Sequence, residues 1–146
     1  MTEAEVVSLY RAATLSMARL NLTAARLMHK YGATAATDVT GFGLLGHARN
    51  LAAAQTAGVE LTITRLPLLR GAAALARGAG AAFQLVQGFS AETSGGLLLA
   101  LGEAAAAEFC AEIEQLEPGC PAWVVGRVGA GQGTATIVQD PVILEV

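Results

Sequence analysis

The segment from Thr37 to His47 concentrates much of the polar chemistry of this chain in a short stretch. It contains Asp38, two threonines and three glycines, and a helix is expected to begin at Gly43. The N-terminus of a helix leaves backbone N–H groups free, and such groups bind phosphate and other anions. A carboxylate beside an anion site is favourable when a cation joins it. The segment therefore indicates a site for phosphate together with a divalent metal.

Individual residues in this segment suit that chemistry. Asp38 offers a hard oxygen to Mg²⁺, which prefers one or two carboxylates together with substrate phosphates and water. Thr40, Gly41 and Gly43 are predicted to contact phosphate, through a hydroxyl and through backbone that glycine allows to approach closely. A purely structural interpretation also fits, in which Asp38 or Thr40 caps the helix and the glycines form a tight turn. Spacing alone leaves both interpretations open.

A second polar loop, Glu92–Gly96, repeats the combination of hydroxyls and glycines ahead of an apolar strand. It is interpreted either as a polar turn or as a further part of a phosphate site. The sequence does not assign roles to Thr93 and Ser94 in this loop. Nor does it assign one to His47, which either faces a ligand or hydrogen-bonds a neighbouring backbone group.

Hydrophobic periodicity predicts an alternation of helices and strands. Helices are predicted over residues 3–30, 43–57, about 67–77 and 103–116. Strands are predicted over residues 34–39, 59–64, 97–101, 123–128, 134–138 and 142–146, with residues 83–89 ambiguous. This order fits a mixed sheet covered by helices, in an α/β or α+β arrangement.

Composition narrows the classes of protein to which this chain can belong. Apolar residues make up 53% and charged residues 14%, so part of the surface is expected to face another domain or subunit. The net charge of −3 argues against nucleic-acid binding. There is no long apolar run for a membrane span and no basic leader, so a cytoplasmic location is expected. Cys110 and Cys120 fit small half-buried thiols better than a redox pair or a metal site.

Three segments of the chain together resemble a known family. Residues 36–47, 92–98 and 122–126 are similar, in this order, to the C-terminal domain of selenophosphate synthetases (selenide, water dikinases), closest to the eukaryotic branch. The resemblance implies an α+β, three-layer α/β/α domain with a mixed, partly ferredoxin-like sheet, as in the aminoimidazole ribonucleotide synthetase superfamily. It also implies a Mg²⁺-dependent reaction in which ATP, selenide and water yield selenophosphate, AMP and phosphate.

The resemblance implies a role for Asp38 as a metal ligand and places the other essential groups outside this chain. The family's N-terminal half carries the nucleophile, most of the ATP-binding carboxylates and the homodimer interface, and neither cysteine here replaces that nucleophile. Residues 1–146 are therefore expected to form a single C-terminal domain, with residues 1–32 as its leading helix. This domain would have its own N-terminal domain as partner, no catalytic residue and no activity alone.

Two other functions stay open at this point. The chain could belong to another enzyme of the superfamily, such as a purine-biosynthetic synthetase or a phosphotransferase. It could also be a non-catalytic interaction or regulatory domain derived from the same fold.

Overall fold

A computed structural model describes residues 1–80 and 82–146 of the chain, in which helices and strands alternate. The α-helices of these residues are α1 (Glu3–Met17), α2 (Leu22–Lys30), α3 (Gly43–Ala53), α4 (Ala72–Gly78) and α5 (Glu103–Leu116). The strands are β1 (Ala35–Asp38), β2 (Val59–Leu68), β3 (Leu97–Ala100), β4 (Gly126–Ala130) and β5 (Thr134–Glu145). A short 3-10 segment covers Ala82–Gln87. None of the helices in the described residues has the length and apolar character needed to cross a membrane.

The described strands form two small sheets. β1 pairs with β3 in antiparallel fashion, with Asp38 opposite Leu97. β2 is the central strand of the other sheet, antiparallel to β4 and parallel to β5. The predicted α+β class with a mixed sheet is confirmed.

Two apolar clusters hold these elements together. The larger one lies between α3 and the β2–β5 pair, and its buried members are Leu45, Ala48, Ala52, Leu61, Ile63, Leu66 and Ala135. In the smaller one Leu27 of α2 packs against Phe109 and Ile113 of α5. Because the first cluster anchors α3, the loop that enters α3 from β1 has a fixed attachment at its C-terminal end.

The prediction of a single helix over residues 3–30 is wrong, because two helices, α1 and α2, occupy this range. α1 ends at Met17, and the Arg19 N–H donates to the Ser16 carbonyl 3.2 Å away, which closes the last turn. Asn21 then precedes α2, and its side-chain amide donates a hydrogen bond to the Gly95 carbonyl. Apolar residues continue at helical spacing through the break, and periodicity therefore did not indicate it.

The helix predicted to start at Pro67 is also displaced, because Pro67 lies within β2 and α4 begins only at Ala72. The Leu68 carbonyl accepts the Val146 N–H at 2.9 Å, so Leu68 faces β5. Backbone groups of successive strand residues point to opposite edges, so the backbone nitrogen of Pro67 points to the other edge of β2. At that edge β4 pairs only with Val59–Ile63. A proline there removes no bond from the ladder.

The last strands differ from the prediction in their limits. The strand predicted from residue 123 begins at Gly126, because the Val125 carbonyl accepts N–H groups from both Thr64 and Arg65 and interrupts regular pairing. The two strands predicted after residue 133 are one strand, β5, whose pairing with β2 shifts register between Ile63 and Arg65.

Candidate functional site

The two polar loops identified in the sequence lie side by side. We call residues 38–43 the Asp38 loop and residues 91–96 the Glu92 loop. The Glu92 N–H donates to the Thr40 carbonyl at 2.8 Å, and the Val39 N–H donates to the Gly96 carbonyl at 3.0 Å. Pairing of β1 with β3 produces this arrangement, since one strand leads into the Asp38 loop and the other leaves the Glu92 loop. The loops therefore form one site, although about fifty residues separate them in the chain.

Gly43 packs against the backbone of residues 88–90 at one side of this site. Its φ is +67°, and an ideal Cβ there would lie 2.6 Å from the Gly88 carbonyl oxygen and 2.7 Å from that of Ser90. The Leu45 N–H, in the first turn of α3, donates to the same Gly88 carbonyl at 2.8 Å. Part of the helix N-terminus that the sequence suggested for phosphate is therefore occupied by the protein's own backbone.

His47 holds the Asp38 loop from within α3. The side chain is 8% exposed, and its Nε2 accepts the Thr40 N–H at 2.9 Å, with the Thr40 hydroxyl oxygen 3.1 Å from the same nitrogen. A ring nitrogen that accepts an N–H carries a lone pair, so the proton of the neutral ring is on Nδ1. The Phe42 ring lies against the imidazole at a centroid distance of 5.4 Å. This geometry gives His47 a structural role, which the sequence had left open.

The three residues predicted to contact phosphate have different environments. The backbone and hydroxyl of Thr40 face His47, its carbonyl accepts the N–H of Glu92, and Gly43 packs against residues 88–90. Gly41 is exposed, and among the described residues nothing lies within 4 Å of its ideal Cβ and no acceptor engages its N–H. Gly41 is consequently the member of this set with a backbone donor open to a ligand.

Asp38, the predicted metal ligand, ends β1 with an exposed side chain, while its neighbour Val39 is buried. In residues 1–80 and 82–146 the only salt bridge joins Lys30 to Glu112, so the Asp38 carboxylate has no ionic partner there. The same residues contain no group of three or more His, Cys, Asp or Glu side chains arranged to hold a metal ion. As a donor set, Asp38 fits one position of a Mg²⁺ site, with the other positions left to phosphates, water or further carboxylates.

Glu92 is a charged residue of the site that sequence reasoning did not select. Although the residue as a whole is exposed, a carboxylate oxygen lies against Gly95, 2.5 Å from the ideal Cβ position of that glycine. This loss of water around the carboxylate raises the pKa of Glu92. Its position directly before Thr93 and Ser94 was visible in the sequence, but the approach of Gly95 was not.

The cysteines lie outside the two loops. Both are free thiols of intermediate exposure, and burial raises the pKa of Cys110. Since the thiolate is the nucleophilic form, this environment does not activate Cys110.

Comparison with known proteins agrees with this architecture. The family described as "AIR synthase related protein, C-terminal domain" matches residues 5–139, which include both loops. The chain belongs to this family. The resemblance predicted from the three sequence segments is confirmed.

Several proteins named as selenide, water dikinases are similar to this chain. "Selenide, water dikinase 3" of Danio rerio is 46% identical over 155 residues, covering 97% of this chain and 35% of the relative. "Selenide, water dikinase" of Leishmania major is 51% identical over 130 residues, covering 85% of this chain and 33% of the relative. The Trypanosoma brucei brucei protein of that name is 48% identical over 150 residues, covering 100% and 38%. The chain thus spans about a third of the length of these relatives.

Proposed function

We propose that this chain is the C-terminal part of an ATP-dependent selenide, water dikinase, the enzyme that converts ATP, selenide and water into selenophosphate, AMP and phosphate. The observation that carries the proposal is the identity of 46–51% to proteins of that name over a region that includes both loops. A cytoplasmic location and a homodimeric parent protein, both expected from the sequence, belong to the same proposal.

In this proposal Asp38 supplies one carboxylate oxygen to Mg²⁺, and Gly41 supplies a backbone N–H to a phosphate oxygen of ATP. Support comes from the exposed carboxylate without an ionic partner in the described residues, and from the open N–H nearby. Thr40 and Gly43 act on the shape of the loop, through His47 and residues 88–90. Bound Mg²⁺ neutralises phosphate charge and orients the phosphate groups.

A single carboxylate rarely holds Mg²⁺ without phosphates or further carboxylates. We therefore expect the isolated chain to bind Mg²⁺ and ATP weakly or not at all, and to have no activity alone. Isothermal titration calorimetry with ATP and Mg²⁺ tests this expectation. Saturation at micromolar concentrations would contradict it, because the chain would then contain a complete site.

The decisive test of the metal role is Asp38→Asn in this chain joined to the N-terminal part of the Danio rerio relative. The substitution keeps the size of the side chain and removes the negative oxygen, so ATP turnover should fall by more than about 100-fold. Asp140→Asn is the matched control, since Asp140 is the chain's other aspartate and lies exposed in β5. Equal activity of Asp38→Asn and Asp140→Asn would remove Asp38 from the metal site.

We further propose that α1 contacts the N-terminal part of the parent protein. Among the described residues none of α1 is buried, yet the helix carries large apolar side chains, with Tyr10 and Leu15 each 72% exposed. A helix of this length without packing is marginally stable in water. Its apolar face is therefore expected to be covered by another part of the protein, and the greater length of the relatives supports the N-terminal part as that cover.

Binding in trans tests this contact. The N-terminal part of the Danio rerio relative is titrated with the chain carrying Tyr10→Glu and Leu15→Glu, and association should weaken at least tenfold relative to the unchanged chain. Ser16→Glu places a new charge at an exposed position on the opposite side of the same helix and serves as the control. Unchanged association of the double variant would show that α1 lies outside the contact.

A further inference from the structure

Asn21 makes a tertiary contact where a local one is usual. It occupies the position before α2, at which an asparagine side chain commonly accepts an N–H from the first helical turn. Within the described residues Asn21 makes no such capping bond. Its Nδ2 instead donates to the Gly95 carbonyl at 2.9 Å, across 74 positions of the chain. The side chain thus connects the α1–α2 junction to the Glu92 loop.

Gly95 lies where the two loops of the site approach each other closely. An added Cβ there would overlap the Val39 carbonyl oxygen and would lie 3.1 Å from the Cβ of Glu92. The preceding residue, Ser94, has a φ of +51°, which is unfavourable for a residue other than glycine. Such a conformation persists only where surrounding contacts fix it. The bond from Asn21 is one of these contacts, since it sets the direction of the Gly95 carbonyl.

We propose that Asn21 is a positioning residue for Asp38, acting through the Glu92 loop. The bond to Gly95 fixes that loop, and the loop in turn fixes the backbone after Asp38 through the Val39 N–H and the Thr40 carbonyl. The consequence for a metal ion rests on the proposed function, in which Asp38 is the ligand. The mechanical coupling of the loops does not depend on it.

Asn21→Asp tests the coupling in the 146-residue chain itself. The carboxylate cannot donate to the Gly95 carbonyl, but it is as good as asparagine at a helix N-terminus, so α2 should not be weakened. Amide hydrogen exchange of Val39 and Glu92 should become about tenfold faster, the factor that corresponds to the loss of about one hydrogen bond. The amides of Leu61 and Ile63, in the central strand β2, should exchange at unchanged rates.

Asn50→Asp provides the matched control, because Asn50 is the chain's other asparagine and lies exposed on α3. Asn21→Ser, whose hydroxyl is able to cap α2 but is too short to reach Gly95, should reproduce the faster exchange. The proposal is overturned if Val39 and Glu92 exchange at the original rates in both variants of Asn21. It is equally overturned if the β2 amides accelerate by the same factor, because the effect would then be global.

Mn²⁺ titration followed by electron paramagnetic resonance separates this inference from the proposed function. In the chain joined to the N-terminal part of the Danio rerio relative, Asn21→Asp should weaken Mn²⁺ binding by roughly tenfold, as loss of a supporting contact does. If Asp38→Asn weakens binding and Asn21→Asp does not, the positioning role is refuted. If Asp38→Asn itself has no effect, the metal role of Asp38 fails, and the exchange rates alone decide on the coupling.

Discussion

Replacing Gly43 by alanine tests whether the close approach of residues 88–90 requires glycine at the start of α3. Gly43 has a φ of +67°, which costs an alanine about 1–2 kcal/mol. The new methyl group would lie 2.6 Å from the Gly88 carbonyl oxygen and 2.6 Å from the Phe89 carbonyl carbon. Both atoms belong to backbone, so relieving the overlap adds roughly 1–3 kcal/mol. Alanine recovers about 1 kcal/mol through helix propensity, which leaves a net loss of about 1–4 kcal/mol.

Urea denaturation of the 146-residue chain, followed by circular dichroism, measures this loss. With a slope of about 2 kcal/mol per molar urea, the midpoint should fall by roughly 0.5–2 M. Gly41→Ala is the control in the same loop, because its φ is outside the left-handed region and nothing in the described residues lies within 4 Å of the added methyl group. Its free energy of unfolding should stay within about 0.5 kcal/mol of the original. Equal stability of the two variants would refute the reasoning, since only Gly43 is in contact with residues 88–90.

Three further substitutions test other parts of the structure. Glu92→Gln should raise the free energy of unfolding at neutral pH but not near pH 4. The pKa of Glu92 is raised in the folded state, so its contribution to stability is fully present below the usual pKa of 4.5 and is lost as pH rises through the folded-state pKa. Glutamine carries no charge and does not have this loss. Urea titrations at both pH values check this, and an equal gain at both would contradict it. Phe109→Ala should cost about 3–5 kcal/mol in the same assay, because the ring is 4% exposed and packs edge-on to Tyr31; a loss below about 1 kcal/mol would contradict the packing. Leu15→Ala should change the thermal midpoint of the isolated chain little, since Leu15 is 72% exposed, and a clear decrease would show that α1 packs in solution.

Local sequence patterns predicted which loops carry the polar residues of the candidate site, but not that the two loops lie side by side. The polar loop around Asp38 and the helix Glu103–Leu116 were recognisable because their signals lie within a few residues of each other. The contact of Glu92 with Thr40 depends on the pairing of β1 with β3, and no local spacing encodes which strands pair. The role of His47 was invisible for the same reason, since it depends on how the loop folds back over α3.

Tertiary contacts also overrode two local rules. Pro67 is well suited to the first turn of a helix, yet pairing of β2 with β5 keeps it in a strand, beyond the residues of β2 that pair with β4. Asn21 is well suited to cap α2, yet its side chain binds Gly95. In both cases the residue type fits a helix start, which is a local preference, but a contact with a distant part of the chain decides the role of the residue. Local sequence patterns report only such preferences and not the distant contacts.

The satisfied backbone of the Asp38 loop has a consequence for how a ligand binds. Thr40 is held by His47 and by the Glu92 N–H, and Gly43 is held by residues 88–90, so the loop has its shape without any ligand. A preformed loop loses little conformational entropy on binding. Weak metal binding by the isolated chain would then reflect missing ligands rather than a disordered loop. Joining the N-terminal part should therefore strengthen Mn²⁺ binding while leaving the exchange rates of the Val39 and Glu92 amides without metal nearly unchanged. A large slowing of both amides on joining would instead show that the loop acquires its shape only in the longer protein.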